Sequence, residues 1–187
     1  MDLRREKLDY RNKLFALLKE NAFRREDVTL SSGKKSSFYF DMKGPMMDPE
    51  GVKLMSHLIL RELSGIKVDA IGGLEMGAVP LVAPVAMESH KFARALHGFF
   101  IRKAAKAHGT MKLIEGRSIE GRNVVILDDV TTSGGSAMDA VKEAQKAGAT
   151  VTLVLSIVDR GEGAEKLYAD AGIPFKTLFR ADEFLST

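Results

Sequence analysis

Two adjacent carboxylates followed by small hydroxyl and glycine residues form the strongest chemical signal in the sequence. Asp128 and Asp129 directly follow an apolar stretch, residues 124–127. After Val130 come four hydroxyl-bearing residues and two glycines: Thr131, Thr132, Ser133, Gly134, Gly135 and Ser136. Glycines let a backbone fold tightly and turn several N–H groups toward one point, and a helix that begins there adds the positive end of its dipole. The segment therefore predicts a phosphate cradle.

The two carboxylates need a partner other than the phosphate, because like charges at close range repel each other. A ribose diol suits them, since carboxylates accept hydrogen bonds from vicinal hydroxyl groups. A plainer interpretation is also open, because Ser136 and Asp139 fit the pattern that caps a helix N-terminus. Capping is compatible with phosphate binding and does not require two adjacent acids. The Walker phosphate motif is absent, and Gly161 and Gly163 lack the third glycine of the dinucleotide fingerprint, which disfavours Walker ATPases and Rossmann dehydrogenases.

A basic segment, residues 99–110, begins with a second apolar stretch. Small alanine and glycine residues separate its cations and its histidine: Arg102, Lys103, Lys106 and His108. Because such small residues offer no apolar face to anchor the segment, we expect a mobile loop. A mobile basic loop can close over a leaving diphosphate, exclude water and reopen for product release. A solvated basic turn is the alternative, and it is the more common outcome for runs of Lys and Arg.

The rest of the chain must place these two segments at one edge of a fold. Apolar periodicity predicts an amphipathic helix at residues 7–20 and a second helix that begins at Asp48-Pro49. Beyond it strands and helices alternate, with strands at residues 68–72, 96–101, 124–127, 151–158 and 175–179 and helices at residues 77–88, 136–147 and 163–171. This alternation predicts an α/β fold, with a central, mostly parallel sheet flanked by helices and ligands bound beyond the carboxyl ends of its strands.

Composition narrows the class of protein. With 187 residues, 45% of them hydrophobic, we expect a single domain over residues 1–187. The chain has no cysteine, which excludes a disulfide framework and a thiolate metal site. No apolar run approaches the roughly 20 residues that cross a bilayer and the first residues are charged, so we expect a cytoplasmic protein with no membrane partner. The net charge of +3 is too small to identify a ligand.

Residues 128–136, with the apolar strand before them, resemble the signature of the type I phosphoribosyltransferases. The resemblance implies that Asp128 and Asp129 contact the ribose 2′ and 3′ hydroxyl groups of 5-phosphoribosyl 1-diphosphate, and that the loop binds its 5′-phosphate. It also implies Mg²⁺ as the cofactor. We expect the ion to be held mainly by substrate oxygens and water, because Mg²⁺ dehydrates reluctantly and the sequence shows no dedicated carboxylate cage.

The basic segment resembles the catalytic loop of the orotate phosphoribosyltransferases, which has an Arg-Lys entry and a Lys-x-His pair. The likeness implies that four residues contact the diphosphate: Arg102, Lys103, Lys106 and His108. Lys106 and His108 would then be catalytic residues together with Asp128 and Asp129. In that family the loop reaches across a dimer interface into the neighbouring site, which implies a homodimer that shares this loop.

Residues 30–41 resemble the small N-terminal hood of the same family, to which about residues 1–45 would contribute. In the hood, aromatic residues and their backbone hydrogen-bond the pyrimidine, a role that falls here on Phe38 and Tyr39. An ordinary hairpin with aromatic core residues is an equally good interpretation of any one of these positions.

Two positions depart from the pattern of some relatives. Ser31 stands where some members have a lysine, and three lysines are candidates to supply that charge: Lys34, Lys35 and Lys43. Of these we favour Lys43. Residues 72–80 resemble the diphosphate loop of the family, but Met76 stands where certain relatives have a lysine. We therefore expect contacts from the backbone of this loop rather than from a side chain.

Arg160 lies just beyond the strand predicted at residues 151–158. It matches the family's arginine that holds the orotate carboxylate, a task that suits a planar, two-pronged donor. Thr132 would be its companion in substrate binding. The alternative is an ion pair of small worth with Asp159 or Glu162.

Together these resemblances predict an orotate phosphoribosyltransferase, which makes orotidine 5′-monophosphate and diphosphate in de novo pyrimidine biosynthesis. A phosphoribosyltransferase for adenine, hypoxanthine or uracil is the nearest alternative, although Arg160 and the Lys-x-His loop favour an acidic pyrimidine. A regulatory protein of the same fold that binds nucleic acid is a further alternative. The cations of this chain cluster in one loop rather than along a stripe, so we expect no nucleic-acid partner.

Overall fold

The computed structural model describes residues 3–29, 35–92, 95–104 and 113–186. The helices of this part are α1 (Leu3–Asn21), α2 (Lys43–Met47), α3 (Pro49–Glu62), α4 (Val79–Ser89), α5 (Gly135–Lys146), α6 (Ala164–Asp170) and α7 (Ala181–Leu185). Its strands are β1 (Phe23–Arg24), β2 (Val28–Thr29), β3 (Lys35–Ser36), β4 (Tyr39–Phe40), β5 (Ala70–Gly72), β6 (His97–Ile101), β7 (Ile114–Gly116), β8 (Asn123–Thr131), β9 (Thr150–Asp159) and β10 (Phe175–Arg180). None of the described helices is both long enough and apolar enough to cross a membrane.

Six of the described strands form the main sheet, in the order β10, β9, β8, β5, β6, β7. All neighbouring pairs are parallel except β6 and β7, which are antiparallel. The carboxyl ends of β9, β8, β5 and β6 therefore lie along one edge of the sheet. The predicted α/β architecture is confirmed, and β7 and α7 are elements that the sequence patterns did not indicate.

Alternate residues of β8 face opposite sides of the sheet, as a strand buried on both faces requires. Val125 and Leu127 join the core layer that contains the buried residues of α1, α3 and α4. Val124 and Ile126 join the other layer, with the buried residues of α5 and α6. Helices thus cover both faces of the sheet at the apolar part of β8.

Helix α3 begins as its sequence predicts. Asp48 is the N-cap, its Oδ1 accepts a hydrogen bond from the Gly51 backbone N–H at 2.7 Å, and Pro49 occupies the first turn. The residues predicted for its apolar face include Met55 and Ile59, and both are fully buried. The helix therefore forms the base on which α1 and α4 pack.

An aromatic cluster joins the N-terminal strands to the last helix. The ring centroids of Phe23 and Phe40 lie 5.2 Å apart, and each ring also contacts Phe184 of α7, at 5.8 and 5.1 Å. These rings bury large apolar areas and prefer such tilted or edge-on geometry. The cluster therefore joins strands β1 and β4 to α7.

Candidate active site

The ends of three adjacent strands surround a cavity of about 390 Å³. Its lining comes from the end of β8, from the loops after β5, β6 and β8, and from the start of α5: Leu74, Glu75, Met76, Gly77, Lys103, Asp128, Asp129, Val130, Thr132, Ser133, Gly134, Gly135 and Ser136. Ligands of open α/β sheets bind at such a place, beyond the carboxyl ends of the strands. The structure therefore brings the carboxylate pair, the glycine-hydroxyl loop and the first lysine of the basic segment to one cavity.

The loop after β8 turns sharply into α5 through Gly134. This glycine is the N-cap of the helix, with φ of 85°, and no side chain caps the first turn. Such a φ is available to glycine at little cost. The capping interpretation of Ser136 and Asp139 is therefore wrong, because Ser136 already lies inside the helix. The backbone N–H groups at this helix start are left for a ligand, as an anion site requires.

Tyr168 of α6 supports this turn from below. Its side chain is fully buried, and its hydroxyl group donates to the Gly134 carbonyl oxygen at 3.0 Å. A Cβ atom at Gly134 would lie 2.9 Å from the Tyr168 ring, so the ring and the turn are in close contact. Burial raises the pKa of Tyr168, which keeps its hydroxyl a donor at neutral pH. Tyr168 therefore fixes the position of the loop that is predicted to form the phosphate cradle.

We expect Tyr168→Phe to weaken the binding of a phosphoribosyl ligand while leaving the fold intact, since the ring is retained. Loss of one neutral hydrogen bond should raise the KM for 5-phosphoribosyl 1-diphosphate about threefold to tenfold. Steady-state kinetics in each substrate measures this effect. Tyr10→Phe, in a ring that stacks on His57 at 4.1 Å, is the matched control and should behave as wild type. An equal rise in the KM of both substrates would contradict the assignment.

Asp128 and Asp129 are half-buried at the end of β8. Burial, and then the charge of Asp129, raise the pKa of Asp128 to about 7. Burial also raises the pKa of Asp129, although its Oδ1 accepts a hydrogen bond from the Val130 backbone N–H at 2.9 Å. Two carboxyl groups in this state gain from ligand hydroxyl groups or a cation that stabilises the charged form.

Thr131 lies beneath the cavity and not in its wall. It is buried, and its hydroxyl group donates to Asp128 Oδ2 at 2.7 Å. The prediction that this hydroxyl joins the phosphate cradle is therefore corrected, because the hydroxyl orients Asp128 instead. Thr132, Ser133 and Ser136 line the cavity as predicted for cradle residues.

The loop after β5 lies directly against the carboxylate pair. A Cβ atom at Gly77 would lie 2.5 Å from Asp129 Oδ1, so only glycine fits this approach. The Glu75–Met76 peptide bond in this loop is cis. Glu75 Oε1 also accepts a hydrogen bond from the Lys103 backbone N–H at 3.0 Å, which ties the loop to the start of the basic segment. The predicted diphosphate loop thus borders the cavity that the carboxylates line.

A second cavity, of about 350 Å³, lies next to the first and beneath the hood. Its lining is Glu26, Val28, Thr29, Tyr39, Phe40, Val130, Thr132 and Arg160. Thr132 and Val130 line both cavities, so the two spaces adjoin at the end of β8. Tyr39 and Arg160, predicted from the sequence to bind the base, meet here although 121 positions separate them in the chain.

Arg160 is held by several groups of the protein. Its guanidinium group donates to Glu162 Oε1 at 2.8 Å, to Ser36 Oγ at 2.8 Å and to the Phe38 carbonyl oxygen at 3.3 Å. The guanidinium carbon also lies 4.1 Å from the centroid of the Phe38 ring. Phe38 thus packs under the cation and does not line the cavity. Arg160 therefore forms the ion pair with Glu162 and also lines the cavity, so the ion pair does not exclude substrate binding.

Lys43 and Arg102 lie at the margins of these cavities. Lys43 Nζ is 3.4 Å from Asp41 Oδ1, and the pKa of Lys43 is raised by Tyr39 and then by Asp41. With Tyr39 and Asp129 it lines a neighbouring, mainly apolar cavity of about 320 Å³. Arg102 lines a separate cavity beside α5 and donates from Nε to the Ala104 carbonyl oxygen at 3.3 Å.

Several sequence predictions fall outside the described residues. They include the proposed catalytic residues Lys106 and His108, and Ser31 and Lys34 of the hood. Their roles stay predictions. Within the described residues there is no group of three or more His, Asp or Glu side chains that could hold a metal ion.

Comparison with known proteins agrees with this geometry. The family described as "Phosphoribosyl transferase domain" matches residues 49–183. The orotate phosphoribosyltransferase of Bradyrhizobium diazoefficiens is 47% identical over 179 residues, which cover 94% of this chain and 96% of that protein. Crystal structures of Mycobacterium tuberculosis orotate phosphoribosyltransferase also match, each covering 94% of this chain and 98% of that one. The complex with Fe(III) dicitrate gives a TM-score of 0.82 at 30% identity, and the complex with 5-phospho-α-D-ribosyl 1-diphosphate gives 0.79 at 27% identity.

Fold, site and relatives define the same class of protein. The chain belongs to the phosphoribosyltransferase family and, within it, to the orotate phosphoribosyltransferases. The resemblance inferred from residues 128–136 is confirmed.

Proposed function

We propose that the enzyme transfers the 5-phosphoribosyl group from 5-phosphoribosyl 1-diphosphate to orotate, giving orotidine 5′-monophosphate and diphosphate in de novo pyrimidine biosynthesis. The observation that carries the proposal is the pair of adjoining cavities at the end of β8. One has a glycine-rich helix start and two carboxylates, which suits a ribose phosphate. The other has an arginine and an aromatic residue, which suits an acidic pyrimidine. The shared Thr132 lies between them, where the new bond would form.

In the reaction orotate N1 attacks the anomeric carbon, the bond from that carbon to the diphosphate oxygen breaks, and the N1 proton leaves with the diphosphate. The positive charge that develops on the ribose ring is favoured by nearby carboxylates, a role that Asp128 and Asp129 would take. The helix start at Gly134 would hold the 5′-phosphate. Catalysis then consists mainly of holding the reacting groups in line and stabilising the charge as it develops.

The charge of the leaving diphosphate requires cations. Lys103 lines the ribose phosphate cavity, and Arg102 lies beside it. Lys106 and His108 are proposed to complete the set from the basic segment. We expect these cations to close over the diphosphate and to provide most of the rate acceleration.

Mg²⁺ is the proposed cofactor. The cavity offers carboxylate oxygens of Asp128 and Asp129, the kind of ligand that Mg²⁺ prefers, but the described residues offer no larger cluster of acids. These residues fit an ion held mainly by diphosphate oxygens and water. When bound, the ion would neutralise part of the diphosphate charge.

A homodimer that shares the basic loop, the single domain over residues 1–187, the hood formed by about residues 1–45 and a place in the cytoplasm stay predictions. Sedimentation of the purified protein tests the first of these directly.

A spectroscopic assay of orotate consumption tests the function. We expect orotate to be consumed only when 5-phosphoribosyl 1-diphosphate and Mg²⁺ are both present. Adenine, hypoxanthine and uracil, assayed in parallel, serve as controls for the base. Turnover of one of these in place of orotate would keep the family and change the substrate. Well-folded protein that binds the ribosyl diphosphate but turns over none of the four bases would overturn the proposal.

A further inference from the structure

Arg160 lies in an unusual environment for a residue that is proposed to bind substrate. Its side chain is only 2% exposed, although it lines the base cavity. A cation so buried is costly unless it is paired and hydrogen-bonded. Glu162, whose side chain is 25% exposed, supplies the negative charge at 2.8 Å. The ion pair therefore stabilises Arg160 in this position at the end of β9.

Asp159, the neighbouring acid, does not take this role. Its carboxylate is buried, and Oδ1 accepts a hydrogen bond from the Gly161 backbone N–H at 2.9 Å. Asp159 therefore shapes the turn after β9, while Glu162 faces the guanidinium group. Asp159 and Glu162 therefore have different structural roles.

The three hydrogen bonds of the guanidinium group leave part of it for a ligand. Nε donates to Glu162, Nη2 to Ser36 Oγ and Nη1 to the Phe38 carbonyl oxygen. A guanidinium group has five N–H donors, so these bonds leave two donors, one on each terminal nitrogen, without an acceptor among the described residues. Nε and Nη2 lie along one side of the group. Glu162 thus occupies that side through Nε, and the free donors belong to the terminal nitrogens.

Ser36 also fixes the hood to this arginine. Its Oγ donates to the Phe38 carbonyl oxygen at 2.9 Å and accepts from the Phe38 backbone N–H at 3.3 Å. The same oxygen accepts from Arg160, which is 124 positions away in the chain. Phe38 in turn packs its ring against the guanidinium plane. The hood segment and the end of β9 are therefore joined through one cation.

We infer that Glu162 and Ser36 are positioning residues that hold Arg160 so that its two free donors meet the carboxylate of the base substrate. The inference rests on the proposed function and adds residues that set the enzyme's preference for a base with a carboxylate. A guanidinium group that is already held by an acid and a hydroxyl group loses less conformational freedom when it binds the carboxylate of a substrate. Loss of either support should therefore weaken orotate binding and leave the ribose phosphate site unchanged.

Glu162→Gln is the first test. The expected result is a rise of about tenfold or more in the KM and Kd for orotate, because the amide keeps an acceptor for Nε–H but loses the negative charge that pairs with the buried guanidinium group. The KM for 5-phosphoribosyl 1-diphosphate should change less than about twofold. Glu165→Gln, at a side chain that is 77% exposed on α6, is the matched control. Tighter orotate binding in Glu162→Gln would overturn the inference, because it would mean that Glu162 competes with the substrate.

Ser36 gives a second test with its own rescue. Ser36→Ala removes the hydroxyl group and should raise the KM for orotate, whereas Ser36→Thr retains it and should restore the value toward that of wild type. Glu162→Gln and Ser36→Ala are then each combined with Arg160→Ala. If Glu162 and Ser36 act through Arg160, neither change should weaken orotate binding further in that background. Independent, additive losses would overturn the inference.

The outcomes separate this inference from the proposed function. If wild-type protein binds 5-phosphoribosyl 1-diphosphate but not orotate, the proposed function fails and the inference fails with it. If wild-type protein uses orotate and Glu162→Gln has an unchanged KM for orotate, only the inference fails. Binding of the ribosyl diphosphate by every variant, measured by calorimetry, establishes that each one is folded.

Discussion

Asp128→Asn is expected to stabilise the protein at pH 8 and to remove most of its transferase activity. The pKa of Asp128 is raised from an ordinary value of 3.8 to about 7, first by burial and then by the charge of Asp129. At pH 8 the folded protein must therefore hold a charge that its surroundings disfavour. Asparagine has a similar shape and carries no charge at any pH, and its carbonyl oxygen can still accept the hydrogen bond from Thr131.

The sign of the effect follows from the two protonation states. Below pH 3.8 the carboxyl group is protonated in both folded and unfolded protein, and wild type and variant should differ little. Between pH 3.8 and about 7 only the folded state binds the proton, so wild-type stability falls as the pH rises. Above about pH 7 the loss is complete and stays constant. The variant avoids this loss, and its advantage should reach about 1–3 kcal/mol at pH 8 for a half-buried group.

Thermal unfolding from pH 4 to pH 9 measures the stability effect, and steady-state kinetics measures the cost in activity. The kcat/KM should fall by about 100-fold, because the proposed charged acceptor for the ribose hydroxyl group is lost. Asp170→Asn, in an exposed ion pair with Lys166, is the control and should change neither property at this site. A variant that is less stable than wild type at pH 8 would show that Asp128 is charged without penalty.

The central part of the site could be predicted from the sequence because its signals are local. An apolar strand, two acids and a glycine-rich turn follow one another within residues 124–136. Thr132 and Arg160 could also be placed together, because they follow neighbouring strands of one parallel sheet and the carboxyl ends of such strands share an edge. Their meeting at one cavity follows from topology, and their contacts with substrate stay predictions.

Other features depend on residues that are distant in the chain. The strand predicted to end at Leu127 continues to Thr131, because Asp128 pairs with Ser156 and Thr131 pairs with Asp159 in the ladder to β9. Nothing in the local pattern indicates that Thr131 is buried beneath Asp128.

The support for Arg160 comes partly from Ser36 in the hood, a contact that no spacing rule predicts. The elements β7 and α7 were missed for a related reason. β7 has three residues and is held by its pairing with β6. The N-cap of α7 is Arg180, which lies outside the usual capping residues, and its backbone N–H donates to Glu183 at 2.8 Å.

Gly77→Ala is expected to weaken binding of 5-phosphoribosyl 1-diphosphate strongly while the protein stays folded. The added Cβ atom would lie 2.5 Å from Asp129 Oδ1, so these two atoms must move apart, whereas its 3.4 Å separation from Asp128 Oδ1 is an ordinary contact. Asp129 Oδ1 cannot move freely, because it accepts the hydrogen bond from the Val130 backbone N–H. Either the carboxylate leaves its position or the diphosphate loop shifts away, and both changes disturb the same cavity. Affinity should fall by about 100-fold, the effect of losing two or more charge-assisted contacts.

Calorimetric titration with 5-phosphoribosyl 1-diphosphate and Mg²⁺ measures the loss of affinity, and thermal unfolding shows whether the fold is kept. Gly44→Ala is the matched control, because a Cβ atom there meets nothing within 4 Å. It lies in α2, where alanine is more favourable than glycine by up to about 1 kcal/mol, so this variant should be as active as wild type and no less stable. Normal affinity in Gly77→Ala would mean that the ligand does not depend on the present positions of the two carboxylates. The glycine-hydroxyl turn alone would then account for binding of 5-phosphoribosyl 1-diphosphate.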